Sequence, residues 1–203
     1  MLKPYVIYSV KFVLLMTTFL FSMYGTFYSY VEFGLINIRF YTNQSNLLVF
    51  IVTFLMVFGW DKSKFFKHIA LIATLDIILT GLVYNILLTD LVVGFTETQL
   101  FLMLITHTVV PILYTLLYLV YVIDSPQFKT FYITLIHPFL YFVVFQIIGA
   151  FNGYYPYPFL NPNQGLVRFL ITNLAILLPG LFILTFILIW TKQKLQKVLD
   201  LKV

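Results

Sequence analysis

Long apolar runs broken by short polar ones set the pattern of this chain. Six such runs occupy about residues 12–31, 41–60, 68–88, 100–123, 131–151 and 167–190. A helix needs about 20 residues to cross roughly 30 Å of hydrocarbon, and each run is near that length. The alternating pattern of an outer-membrane barrel is absent, so helices are the spanning structure that remains. The predicted fold is an all-α membrane protein, a single six-transmembrane-helix bundle over residues 1–203. The first run exceeds the 7–15 apolar residues of a signal peptide, and Ser22-Met23-Tyr24-Gly25 is a poor small-residue cleavage site, so it reads as a retained helix.

The second run stands apart. Its continuous apolar part, residues 47–60, has only 14 residues. To reach spanning length the helix must begin near Tyr41, which draws Thr42, Asn43, Gln44, Ser45 and Asn46 into the membrane boundary. At 3.6 residues per turn, Thr42, Ser45 and Asn46 share one face.

Composition agrees with the pattern: 62% of residues are hydrophobic and 9% charged, against about 25% charged in an ordinary soluble domain. The 23 Phe and 15 Tyr fit lipid contact and interfacial aromatic belts. There is no Cys, which excludes disulfides, thiol nucleophiles and zinc–thiolate sites. No HExxH motif or carboxylate cluster points to a metal, no cofactor motif is present, and no nucleic-acid motif accompanies the net charge of +5. Charge placement reads as topology instead. Lys3, Lys11, Lys62, Lys64, Lys67, Lys129, Lys192, Lys194, Lys197 and Lys202 fall on one side, leaving only Arg39 and Arg168 on the other. By the positive-inside rule both termini are cytoplasmic, as expected of a multi-pass protein of the cell membrane. The tail lysines would fix topology and touch anionic lipid.

That topology sets Thr42, Asn85, His107 and the loop at residues 152–165 toward the outer half of the membrane. His107 lies about 10 Å below the outer boundary by helical rise. An intramembrane ionisable residue is a functional candidate by default, and a structural histidine bridging two helices is the alternative. Pro111 has no N–H, so the helix should kink and the His107 carbonyl needs another donor. Thr42 reads either as the N-cap of the second helix or as a nucleophile whose proton a nearby base accepts. Asp76, near mid-bilayer, would orient His107 or hold helices together through Asn173 or a Thr. His137 lies toward the cytoplasmic end of the fifth helix, at a depth that keeps it from Thr42. The Pro- and Tyr-rich loop around Tyr157 fits a lid or an interfacial belt.

The stretches Tyr41-Thr42-Asn43-Gln44-Ser45-Asn46-Leu47-Leu48, Thr80-Gly81-Leu82-Val83-Tyr84-Asn85, His107-Thr108-Val109-Val110-Pro111 and Gly153-Tyr154-Tyr155-Pro156-Tyr157-Pro158-Phe159-Leu160 resemble, in order and spacing, an uncharacterised prokaryotic six-transmembrane protein family. That family is distantly similar to the eukaryotic androgen-induced and androgen-dependent TFPI-regulating proteins, six-helix threonine hydrolases of fatty acid esters of hydroxy fatty acids. The resemblance implies Thr42 as nucleophile and His107 as its base. The polar run after Thr42 departs from the more apolar eukaryotic one.

Two functions follow as expectations. One is a membrane lipid-ester hydrolase or acyltransferase acting on a fatty-acyl ester. Here Thr42 attacks, His107 takes its proton, Asn43 or Asn46 amides receive the oxyanion, and Asp76, Asn85 and Tyr157 support the site. The other is a non-enzymatic transporter or a lipid- or small-molecule-binding protein. Convergence of the Thr42 and His107 side chains in an outward, lipid-accessible cavity would favour the first.

Overall fold

The computed structural model describes residues 4–89, 93–121 and 126–198. The expectations that concern Lys3, Lys202 and the end of the fourth run at Ile123 lie outside the described residues. Every regular element among them is helical. Helix α1 is Pro4–Phe33 and α2 is Tyr41–Val57. They are followed by α3 (Lys64–Leu88), α4 (Glu97–Tyr121), α5 (Phe128–Asn152) and α6 (Leu166–Val198). Five of these are long and apolar enough to cross a membrane, and α2, at 17 residues, is the shorter apolar helix.

Local chemistry sets the boundaries. Ser63 caps α3 by accepting from the Phe66 N–H at 3.0 Å, and Thr96 forms a reciprocal capping box with Gln99 on α4. Both helices therefore start in polar sequence, before the apolar runs that betray them. Gly153 ends α5 in the left-handed conformation, and Gly34 follows α1 with an extended backbone of φ 77°; glycine adopts both without penalty.

Helices α1 to α4 share one core, built around Val49, Val52, Ala70, Ala73, Ile77, Val110 and Tyr114. On α1 the buried polar face Thr18, Ser22, Thr26 and Ser29 recurs at helical spacing. Its small side chains let helices approach closely, and Ser22 Oγ reaches Thr53 Oγ1 at 3.4 Å. Helix α3 is central: it packs on α2, α4, α5 and α6. Helices α5 and α6 meet at the end holding Phe128–Leu135, where Thr134 and Thr185 hydroxyls lie 3.0 Å apart. They diverge toward the other end, where the loop between them folds down.

Three helices widen into π turns: α3 at Tyr84–Leu88, α4 at Ile105–Val109 and α6 at Ile171–Leu177. The last two immediately precede Pro111 and Pro179, whose missing N–H groups break the regular ladder.

Lys192 departs from the role expected for the tail. It is fully buried, and Nζ donates to the carbonyls of Tyr118 (3.1 Å) and Leu119 (2.7 Å) at the C-terminal end of α4. A cation there is favoured by the carbonyl dipoles that point toward this end of α4. The outer perimeter is studded with exposed Leu, Ile, Val and Phe, which is compatible with a multi-pass membrane location.

Candidate functional site

The first turn of α2 accounts for its polar run. Phe40, in extended conformation, is the N-cap and offers no side-chain cap bond. Thr42 is thus the second helical residue, which removes the capping role considered for it. Side chains donate to three carbonyls of the preceding 3-10 turn, Leu35–Arg39, of which Asn37 O also accepts the Phe40 N–H. Asn43 Nδ2 donates to Asn37 O (3.1 Å), Gln44 Nε2 to Ile38 O (2.8 Å) and Tyr141 Oη to Arg39 O (2.9 Å). Asn46 Nδ2 donates both to Thr42 O (2.9 Å) and to Thr106 O on α4 (3.1 Å). The amide donors of Asn43 and Asn46, expected to face an oxyanion, are turned onto backbone carbonyls.

His107 sits inside the π turn of α4. Its Nδ1 lies 3.0 Å from both Met103 O and Thr106 Oγ1. A carbonyl only accepts, so the proton resides on Nδ1 and Nε2 carries the lone pair. The ring stacks on Tyr84 with centroids 3.9 Å apart. The carbonyl released by Pro111 accepts from Asn85 Nδ2 at 3.3 Å, which supplies the donor that the proline demands. Helices α2 and α4 therefore meet at this level, but through Asn46 and Thr106. The structure does not bring Thr42 and His107 into hydrogen-bond contact: Thr42 opens onto a cavity, and His107 is covered by Tyr84 and does not line it.

Asp76 is fully buried, and its partners are neither His107 nor Asn173. Tyr41 Oη donates to Asp76 Oδ1 at 2.5 Å, and His137 Nδ1 stands 2.7 Å from Oδ2, askew of ideal hydrogen-bond alignment. His137 Nε2 lies 3.0 Å from Gln44 Oε1. Gln44 spends its amide N–H on Ile38, which turns its carbonyl oxygen toward the ring, so His137 carries a hydrogen on Nε2. His137 also stacks on Tyr41, with centroids 5.0 Å apart. His137, expected at a depth that keeps it from Thr42, meets the first turn of α2 through Tyr41 and Gln44. Helix α5 begins at Phe128 with a 3-10 stretch to Leu135, which puts His137 about 17 Å along it and level with the first turn of α2.

The cavity itself has a volume of about 530 Å³ and lies between α3, α5, α6 and the loop. This falls within the roughly 300–1,000 Å³ of small-molecule sites. One end holds Thr42, Tyr157 and Asn173; the shaft is walled by Leu79, Val83, Phe142, Leu177 and Leu181. Tyr132 and Phe139 on α5 and Leu174 and Leu178 on α6 line it and are exposed, so the cavity opens sideways where those two helices part. The loop closes the end above Thr42. Gln146 Nε2 holds Leu160 O at 2.8 Å, Asn173 Nδ2 holds Phe159 O at 2.7 Å, and Tyr157 Oη receives a long 3.5 Å bond from the Thr42 N–H. Desolvation beneath the loop raises the Tyr157 phenol above its ordinary pKa, so it stays protonated.

No role for Gln44, Thr80, Tyr141 or His137 follows from spacing along one helix. Gln44, Tyr141 and His137 act through partners on other elements, and Thr80 through its place at the cavity wall. Thr80 carries a local signal, standing beside Gly81 where α3 and α4 touch: a Cβ at Gly81 would lie 3.1 Å from His107 O. Among the described residues no group of three His, Cys, Asp or Glu is placed to hold a metal. No family model matches the chain, and no curated protein or solved structure matches it either.

Proposed function

We propose that this is a multi-pass membrane protein that takes a lipid-like amphiphile into the side-opening cavity between α3, α5 and α6. The observation that carries the reading is the cavity's form: apolar walls, hydrogen-bonding groups gathered at one end, and a mouth on the apolar perimeter. An alkyl chain in the shaft removes apolar surface from solvent, and the polar end fixes its direction. The test uses a diazirine-bearing alkyl probe in liposomes containing the purified protein. Photolabelling is expected on cavity-facing residues of α5 and α6, such as Phe142 and Leu177. Label spread evenly over the exposed perimeter would remove the reading.

Acyl transfer at Thr42 is the second reading, favoured by the position of Thr42 in the cavity wall, where an ester carbonyl would lie. In this reading the Thr42 hydroxyl attacks the ester carbonyl and its proton passes to a base. The alcohol leaves with a proton, and water releases the acid from the acyl-threonine. His107, on the adjoining turn, serves as base only if its ring leaves Tyr84 and reaches Thr42. A fluorophosphonate probe decides: labelling lost in Thr42→Ala supports the reading, and equal labelling of both proteins removes it.

Both termini are proposed to face the cytoplasm of a cell membrane, on the strength of the lysine distribution. The absence of cysteine makes this cleanly testable. A single Cys at Asn163 should react with an impermeant maleimide in intact cells and one at Gln196 should not; the reverse would invert the topology.

A further inference from the structure

Thr80 is 3% exposed and borders the cavity, and its hydroxyl oxygen, itself enclosed, has no hydrogen-bond partner among the described residues. Buried Thr26 on α1 shares this state, and most buried helical threonines do not. Thr18, Thr53, Thr74, Thr106 and Thr115 each turn the hydroxyl back to the carbonyl four residues earlier. At Thr80 that carbonyl belongs to Asp76, and the bond is not made. A buried hydroxyl left unpaired is costly, so a turn about χ1 that swings it to a partner in the cavity would be favoured.

The rest of the wall limits what that partner is. Among the described residues, the polar ones that line the cavity are Tyr41, Thr42, Thr80, Tyr132, Tyr141, Tyr157 and Asn173, all uncharged, and none is Lys, Arg, His, Asp or Glu. Most are already committed. Tyr41 donates to Asp76, Tyr141 to Arg39 O, and Asn173 to Phe159 O and Phe169 O. Arg39, a cation of the neighbouring turn, stacks 4.3 Å over Tyr154 and donates to Ile36 O. A charged head group drawn into this cavity would be desolvated without a counter-charge.

We infer that the cavity selects a lipid with an uncharged head, an alcohol or ester, and that Thr80 is the hydroxyl that binds it. This rests on the proposal that the cavity holds an amphiphile, and it narrows it. The fatty acid esters implied by the resemblance carry a free carboxylate, for which the wall offers no cation.

The experiment measures retention of hexadecane, hexadecanol and hexadecyl sulfate by the purified protein in phosphatidylcholine nanodiscs, read by native mass spectrometry. The proteins are wild type, Thr80→Val, Thr80→Ser and Leu177→Trp, the last filling the shaft from a half-buried position on α6. Hexadecanol should bind at least about tenfold better than the sulfate, since the sulfate would bury an unpaired charge. Thr80→Val should weaken hexadecanol about fivefold, leave hexadecane unchanged, and be rescued by Thr80→Ser. Leu177→Trp should abolish retention of all three.

Sulfate binding as tight as hexadecanol, or a Thr80→Val protein indistinguishable from wild type, overturns this inference while the plugged variant still upholds the cavity. Retention unchanged by Leu177→Trp, or no retention of any probe, overturns the cavity reading and this inference with it.

Discussion

The phenol of Tyr41 and the carboxyl of Asp76 are joined at 2.5 Å in the interior of the bundle, tying the first turn of α2 to the middle of α3. His137 approaches the same carboxyl from α5. One side chain thereby connects three helices, and all three bound or adjoin the cavity.

Removing Asp76 strands two polar groups at once. Asp76→Ala should lower stability by about 3–5 kcal/mol, the cost of breaking a buried pair. Asp76→Asn retains an oxygen for Tyr41 and should cost less, as should Tyr41→Phe, at about 1–3 kcal/mol. Reversible unfolding in mixed micelles gives the ranking; an Ala variant as stable as wild type would deny the cluster any holding role.

Lys192 closes the end of α4 from α6. Lys192→Met keeps the length and apolar stem but leaves the carbonyls of Tyr118 and Leu119 without that donor. The expected loss is about 1.5–3 kcal/mol, the range for bonds to a charged group. Hydrogen exchange should rise selectively over residues 115–121. Unchanged exchange there would mean that the contact carries no weight.

Asn85 and Pro111 should be coupled. Asn85→Ala deprives the His107 carbonyl of its donor, at a cost of about 0.6 kcal/mol for an interhelical bond in a membrane bundle. Pro111→Ala restores an N–H that can take that carbonyl within the helix. In the Pro111→Ala background the Asn85→Ala penalty should vanish, which a double-mutant cycle detects. Additive effects would show the two to be independent.

Gly149 leaves room for a ring. A methyl there would overlap the Tyr155 ring. Gly149→Ala should lift Tyr155, destabilise the loop over the cavity by about 1–3 kcal/mol and speed its proteolysis. Adding Tyr155→Ala should relieve the clash. A single variant that cleaves no faster would place the loop's anchorage elsewhere.

Much of the architecture is legible in the chain because apolar runs of spanning length admit few alternatives. The start of α2 at Tyr41 follows from arithmetic on a run that is too short. The starts of α3 and α4 come out late, because Ser63 and Thr96 begin those helices in sequence that looks like loop. The widening of α4 is anticipated by Pro111, down to the donor its carbonyl needs. The site is less legible. The meeting of Asp76 with His137 depends on how far α5 extends toward Phe128, and the burial of Lys192 depends on a helix end 73 residues away. The idle hydroxyl of Thr80 is visible only once every neighbouring acceptor has been placed.

The divergence of α5 and α6 carries a consequence for supply. A guest entering through that slit passes from acyl tails to acyl-like walls and never meets the aqueous phase. Its availability is then a mole fraction within one leaflet, so the make-up of the surrounding bilayer, rather than any dissolved concentration, sets how often the chamber is filled.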